Sequence, residues 1–352
     1  MKVNIVTTCK KNCGISIYSN YLFNELKKKI NVHIIENTEE NFSQIAEKAK
    51  QADIVHVQFE PGAFGSTLML KGTSIPKFYK KLAQPKKAKI VTTIHEMNES
   101  SIRGAKSFFV HLFQKILNSH VLQNSDLIIV HSRKLEAFAK KYAKNVVFLP
   151  HGTMLPQKAI SNVIAKKKLD LSGKTVLTIF GFVEPRKQHA KIINLLPELD
   201  EKIVLLIAGT SVASENYVNN LKKIVSQLNL EKRVIFAGFI EDKDKKTIFS
   251  ATDLMLYPYK DIYQSGSMNE VLSYSKPVLA SSIDGFKEFQ KEFKCIELAE
   301  EHEWKHKILE LLKDKKLQES LAKKAKTYCR QNSWKNSAER TIKEYQKLFK
   351  KN

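Results

Sequence analysis

The chain has 352 residues, 43% of them hydrophobic, with 12 Gly and 9 Pro, which suits two ordinary domains and excludes a collagen-like or largely disordered chain. No apolar run approaches the ~20 residues of a membrane helix, and four scattered cysteines (Cys9, Cys13, Cys295, Cys329) exclude a disulfide scaffold. The net charge of +23 sits in no single tail: residues 1–155 hold 23 Lys+Arg against 11 Asp+Glu, and the rest 36 against 25.

Such a field draws polyanions: nucleotide or phospholipid substrates, an anionic membrane surface, or nucleic acid. It also arises from ordinary solvated, lysine-rich helix faces. Specific nucleic-acid binding is not expected, because no recognition module and no aromatic–basic interleaving is present. Cys9 and Cys13 have no nearby Cys/His pair to complete a zinc site, so no metal ligand set is expected. Met1 to Val6 reads as a strand rather than a signal peptide. The expected setting is the reduced cytoplasm, with peripheral contact at the inner face of the plasma membrane as an extension of that reading.

In chain order, Val3 to Thr7 reads as a buried strand and Lys10 to Gly14 as a loop. A helix follows from Ile15, with apolar positions Ile17, Tyr21, Leu22 and Leu26. This succession opens a doubly wound α/β domain and puts the loop at the sheet edge where ligands bind. No G-x-G-x-x-G is present, and a lone Gly14 reads equally as a plain turn. Val32 to Ile35, Asp53 to Gln58 and Lys89 to Ile94 continue as strands, with a helix over 41–50. The last strand ends in His95-Glu96, an imidazole and a carboxylate at the ligand edge; a strand-end His is also a common structural residue. Residues 101–118 carry Ile102, Phe108, Phe109, Leu112, Phe113, Ile116 and Leu117 at helical spacing, with Arg103, Lys106 and Lys115 nearby. This is either a membrane-surface helix or a core-facing one with a solvated basic side. Asp126 to Val130 and Val146 to Leu149 are further strands, and apolar patterning lapses over 153–173.

The pattern restarts with the strand Thr175 to Phe180, the loop Gly181 to Gln188, and a helix. Adjacent cations at Arg186 and Lys187 suit a diphosphate, although surface exposure is the commoner fate of such a pair. Ile203 to Ala208 and Val234 to Ile240 read as strands. Asp253 to Tyr259 and Val278 to Ala280 lack polar alternation, as strands buried on both faces do. Between them Ser265-Gly266-Ser267 marks a helix start whose first N–H groups could hold phosphate. Glu270, one turn in, could accept from vicinal hydroxyls or merely favour the helix dipole. Two helices, Glu301 to Cys329 and Trp334 to Lys350, complete the chain.

These residues resemble the donor-binding signature of the retaining GT-B glycosyltransferases of family 4. In that family a Pro closes a strand, a Glu follows four residues later, and a second Glu lies eight beyond the first. Counting from Pro258, the second falls on Glu270 and the Lys276-Pro277-Val278 tail follows; the first falls on Ile262, beside Asp261. The sequence thus looks like the members with a Ser-Gly pair and no first Glu. The segments Gln58 to Gly65 and Val146 to Gly152 also resemble the family.

The resemblance implies an α/β GT-B fold, two Rossmann-like doubly wound domains facing across a cleft. Residues 1–155 would be the acceptor side, 156–332 the nucleotide-sugar side, and 333–352 a helix crossing back to the first domain. It implies retaining transfer from a UDP-, GDP- or ADP-sugar to a glycan, lipid-linked or protein acceptor, in cell-surface glycan or glycolipid synthesis, with no cofactor and no metal. His95, Lys187 and Glu270 are the expected catalytic residues: His95 beside the donor sugar, and Lys187 against the leaving diphosphate. Arg186 would replace an Arg that the family carries where Phe182 stands. Donor binding is expected from Gly14, Arg186, Ile240 (near the base), Ser265, Gly266, Ser267, Met268 and Glu270. A non-catalytic GT-B binding or partner subunit is the alternative that Ile262 raises.

Overall fold

A computed structural model of the chain describes residues 1–8, 13–37, 42–60, 74–85, 88–96, 119–211, 215–262 and 264–350. It divides into two units, residues 1–152 with 332–352 and residues 153–331. The expected 101–118 helix, Cys9, the 10–12 part of the first loop and the 61–65 segment lie outside the described residues.

The N-terminal unit alternates β1 (Lys2–Thr8), α1 (Gly14–Leu26), β2 (Asn31–Asn37), α2 (Phe42–Ala49), β3 (Ile54–Phe59), α3 (Ser74–Ala83) and β4 (Lys89–Ile94). It continues with β5 (Leu127–Val130), α4 (Arg133–Ala139) and β6 (Val146–Phe148). The strands form one parallel sheet in the order β2-β1-β3-β4-β5-β6. Nearly every residue of β1, β3, β4 and β5 is buried, because helices cover both faces of a parallel sheet. The order reverses between β1 and β3, which makes their C-terminal ends the place for a ligand.

The C-terminal unit starts with α5 (Asn162–Lys168), then β7 (Thr175–Phe180), α6 (His189–Leu195), β8 (Ile203–Ala208), α7 (Glu215–Gln227) and β9 (Val234–Phe236). There follow α8 (Asp242–Ala251), β10 (Leu254–Tyr257), α9 (Gly266–Ser273), β11 (Val278–Ser281), α10 (Asp284–Phe293) and β12 (Glu297–Ala299), then α11 (Trp304–Lys313) and α12 (Lys315–Gln331). Its parallel sheet runs β12-β11-β10-β7-β8-β9, so the order reverses between β7 and β10. Alternate residues feed two cores: Val176, Leu206, Met255 and Val278 on one face, Leu177, Leu205, Leu256 and Leu279 on the other. Together the two six-stranded parallel sheets make the GT-B architecture.

One element differs from its sequence reading. The helix expected over Glu301 to Cys329 is two helices, α11 and α12, parted at Asp314, whose backbone is extended (φ −82°, ψ 90°). Asp314 Oδ1 accepts the Leu317 N–H at 2.9 Å, so this residue starts a new helix instead of continuing the old one. The last helix, α13 (Trp334–Lys350), belongs to the N-terminal unit, where Trp334 stacks on Tyr21 of α1 at 5.3 Å between ring centroids.

Candidate functional site

In the C-terminal unit the loops leaving β7 and β10 meet at the point where strand order reverses. Phe180 ends β7, Gly181 turns the chain at φ +98°, and a single 3-10 turn, Pro185–Lys187, leads into α6. Lys260 N–H donates to the Arg186 carbonyl at 2.8 Å and so ties the β10 loop to that turn. The Lys187 side chain folds back into the protein, with the residue 4% exposed. Its ammonium lies close to Gly181: a Cβ built there would stand 2.9 Å from Lys187 Nζ and 3.4 Å from Ser267 Cβ. The absent side chain is what lets a buried cation and the first turn of α9 converge. Burial pushes the Lys187 pKa down to about 7, with Glu184 opposing and Arg186 adding to the fall. Among the described residues no carboxylate is within ion-pair distance of Lys187 Nζ. Arg186 instead points outward, paired with Glu184 at 2.9 Å.

Ser265 caps α9, its Oγ accepting the Met268 N–H at 3.2 Å and lying 3.1 Å from Ser267 Oγ. The Asn269 N–H goes to the Ser265 carbonyl. The helix supplies no acceptor for the N–H groups of Gly266 and Ser267, the kind of pair that suits an anion. The Met268 amide donates to the cap and its side chain is buried in the core. Tyr257 and Tyr259 bury their hydroxyls beside Ser267 without a hydrogen bond of standard geometry. Both Lys187 (5.4 Å) and Arg186 (6.0 Å) lie over the Tyr259 ring.

Glu270 is engaged. Lys245 Nζ lies 2.6 Å from its Oε1 and 2.8 Å from Asp242. Burial opposes the Lys245 charge, but Glu270 and Asp242 outweigh it and hold the ammonium above its usual range. No local pattern announces Lys245 as this partner, since it lies on α8, 25 residues upstream. Ile240 sends its side chain into the hydrophobic core, leaving only its backbone for a ligand, while neighbouring Phe239 is 58% exposed. Ile262 packs against the same core, and its carbonyl fills the space a Cβ of Gly285 would occupy. The aliphatic residue at the first-Glu position is therefore a packing residue.

The N-terminal unit presents a different site. Gly14 opens α1, and a Cβ there would meet nothing within 4 Å among the described residues. His95 follows β4 and binds Gln58 Oε1 through Nε2 at 2.9 Å. It belongs to a cluster with His131 and His151 around the Tyr18 ring, at centroid distances of 4.7, 5.1 and 5.0 Å. Burial, then the neighbouring imidazoles, hold His95 well below its ordinary pKa, so it is neutral at pH 7. Of the residues named from the sequence, Lys187, Ser265, Gly266, Ser267 and Glu270 share the C-terminal unit's switch point, and His95 and Gly14 lie in the N-terminal unit. Among the described residues no group of three or more His, Cys, Asp or Glu could hold a metal ion, and no helix is long and apolar enough to cross a membrane.

Residues 161–328 match the family model described as Glycosyl transferases group 1. Over that stretch the chain is similar to the group 1 glycosyltransferases. It is 22% identical over 267 residues to the uncharacterized glycosyltransferase YqgM of Bacillus subtilis (strain 168), covering 70% of this chain and 67% of that protein. Its fold is similar to that of Anabaena Alr3699/HepE, solved with UDP, with a TM-score of 0.79 at 16% identity over 99% of this chain and all of that one. The sucrose-phosphate synthase (tll1590) from Thermosynechococcus elongatus aligns over the full length of both chains at a TM-score of 0.76 and 16% identity.

Proposed function

We propose that the protein is a retaining, metal-independent glycosyltransferase of family 4, of the Ser-Gly type, that moves a sugar from a nucleoside-diphosphate sugar to an acceptor hydroxyl. The observation that carries the reading is the meeting of a buried cation, Lys187, with the free N–H groups of Gly266 and Ser267 at a topological switch point. A diphosphate placed there would replace the water that a buried ammonium lacks. HepE has been solved with UDP and with UDP-glucose, which supports this donor class.

In the proposed reaction the acceptor oxygen bonds to the anomeric carbon as the bond to the diphosphate breaks, and the acceptor's proton passes to a departing phosphate oxygen. Lys187, Arg186 and the α9 N-terminus supply the positive field that the departing charge requires. His95 contacts the sugar, and the Glu270 oxygen that Lys245 leaves available accepts from the ribose. The acceptor is a glycan, a lipid-linked glycan or a protein, in cell-surface glycan or glycolipid synthesis, and the basic excess of the chain suits work at an anionic membrane surface. A second reading, a GT-B subunit that binds without turnover, is favoured by Ile262 in the core and by the Lys245–Glu270 pair.

A thermal-shift screen with UDP, GDP and ADP, each with and without its common sugars, tests the first reading. A nucleotide at about 100 times its dissociation constant should stabilise the fold by roughly 2.7 kcal/mol. One selective response, lost in Lys187→Ala, is expected. Silence from all three nucleotides would overturn the donor site, whereas binding with no donor hydrolysis would select the second reading.

A further inference from the structure

Strand β3 reads Ile-Val-His-Val-Gln-Phe, and its two polar residues, His56 and Gln58, are two apart and therefore on one face. Both are fully buried. A hydrogen-bonded line runs through them. Tyr345 OH meets His56 Nδ1 at 2.6 Å, His56 Nε2 meets Gln58 Nε2 at 3.2 Å, and Gln58 Oε1 meets His95 Nε2 at 2.9 Å. Thr93 Oγ1 also reaches His56 Nε2, at 2.7 Å.

The donors and acceptors of this line fix one another. An amide nitrogen only donates, so His56 Nε2 must be bare, with the His56 proton on Nδ1 and directed at Tyr345. An amide oxygen only accepts, so His95 must carry its proton on Nε2 and keep the lone pair on Nδ1. Burial keeps both rings neutral, pushing His56 to about 3 and His95 well below its ordinary value, so each imidazole has a single proton to place. Turning the Gln58 amide over would move the protons of both rings. One side chain thus couples two tautomers.

We propose that Gln58 is a positioning residue for His95: it fixes the Nε2–H tautomer and leaves Nδ1 as the ring atom that accepts from a sugar hydroxyl, with His56 and Tyr345 holding the amide in that orientation. The inference rests on the reading of His95 as a sugar contact, but its test needs no substrate.

The ligand-free full chain, labelled with 15N-histidine, reports the protonated ring nitrogen of His95 by long-range proton–nitrogen correlation, with the signal assigned by its loss in His95→Gln. A single Nε2–H form is expected. An Nδ1–H form, or an even mixture, in the unaltered protein overturns the proposal before any variant is made. Gln58→Met removes both amide groups at nearly constant shape and should release His95 into a mixture; Gln58→Glu restores the acceptor and should return the proton to Nε2. Tyr345→Phe strips the partner from His56 Nδ1–H and should shift His95 part-way toward Nδ1–H. An unchanged His95 signal in a folded Gln58→Met protein also overturns the proposal. Failure here is separate from failure of the donor reading, which the nucleotide screen decides.

Discussion

The two units differ in the titratable groups that predominate beneath sheets of the same size. In the N-terminal unit the buried groups are imidazoles, and burial lowers His56 to about 3, His131 to about 4 and His151 to about 3, with His95 also well below its usual value. The rings bind nearby polar groups, as His131 Nδ1 does with the Leu149 carbonyl at 2.7 Å and His95 Nε2 with Gln58, while His131 Nε2 is buried without a hydrogen-bond partner among the described residues. In the C-terminal unit ammoniums predominate: Lys187 is buried and Lys276, Lys166 and Lys245 are half-buried, beside one buried imidazole, His189. Lys276 is lowered to about 8 yet holds the carbonyls of Ser250 and Thr252, Lys166 pairs with Asp253 at 2.7 Å, and Lys245 pairs with Glu270. Among the described residues Lys187 alone of these four has no such partner. A cluster of neutral rings can stand as scaffolding for one contact; a buried cation with no anion beside it is a demand for a ligand.

Acid should separate the units most strongly. Each neutral imidazole has a folded pKa below its unfolded value of about 6.5, so between about pH 6.5 and pH 3 the unfolded chain binds more protons. Stability is then full above 6.5 and falls as pH drops, by up to about 1.4 kcal/mol per pH unit for each ring. Four such rings lie in the N-terminal unit and one with a printed shift, His189 at about 3, in the other. The chain has two tryptophans, Trp304 in the C-terminal unit and Trp334 in the N-terminal one, so Trp304→Phe and Trp334→Phe leave one reporter per unit. Urea midpoints followed by Trp334 should collapse between pH 6.5 and 4, well ahead of those followed by Trp304. Parallel losses would erase the contrast.

Next in size is removal of the unpaired cation. Lys187→Ala should cut turnover of whichever nucleotide sugar stabilises the protein by about 10²–10³-fold, the usual effect of losing one charge-stabilising donor. Gly181→Ala should approach that loss from the other side, because its methyl would press on the Lys187 ammonium and φ +98° strains any side chain. Initial rates near those of the unaltered enzyme in both variants would make Lys187 as structural as the imidazoles.

A smaller effect sharpens the same point. With a free-state pKa of about 7, Lys187 is largely neutral at pH 8, and a bound diphosphate must draw a proton onto it. Affinity for the nucleoside diphosphate should therefore weaken by up to about tenfold per pH unit above 7. Calorimetry at pH 8 in two buffers of different ionisation enthalpy should register proton uptake. Lys187→Arg, charged throughout, should bind without that uptake.

Much of this was legible in the sequence because a parallel sheet imposes near-continuous apolar runs, and Val3–Thr7, Thr175–Phe180 and Leu254–Tyr257 come close to that despite Asn4 and Thr178. Loop chemistry was legible where it is local, as in Ser265-Gly266-Ser267 and Arg186-Lys187. The partners were not. Lys245 meets Glu270, and Gln58 meets His95, only after the chain has folded, across 25 and 37 residues. The core burial of the Met268 and Ile240 side chains was hidden for a related reason: position in a motif says where the backbone goes, while the hydrophobic core decides where the side chain goes. The split at Asp314 was readable in principle, since an Asp between two lysines can cap a helix as readily as sit inside one.

The smallest expected effect lies one residue past the cation. Gln188 adopts the left-handed conformation, φ 51° and ψ 43°, where a side chain costs roughly 1–2 kcal/mol and glycine almost nothing. Its backbone carries the turn, donating to the Pro185 carbonyl and accepting from Lys191, and no hydrogen bond of its side chain is found among the described residues. Gln188→Gly should relieve the strain, and the extra freedom it gives the unfolded chain should offset part of the gain. A net rise of up to about 1 kcal/mol is expected in the urea transition followed by Trp304, with none in the transition followed by Trp334. Turnover should stay within twofold, because the turn that aims Lys187 keeps its φ and ψ. A loss of stability would mean that Gln188 packs the switch point more tightly than its backbone strain costs, and the C-terminal unit would then hold its cation by side-chain packing rather than by the turn alone.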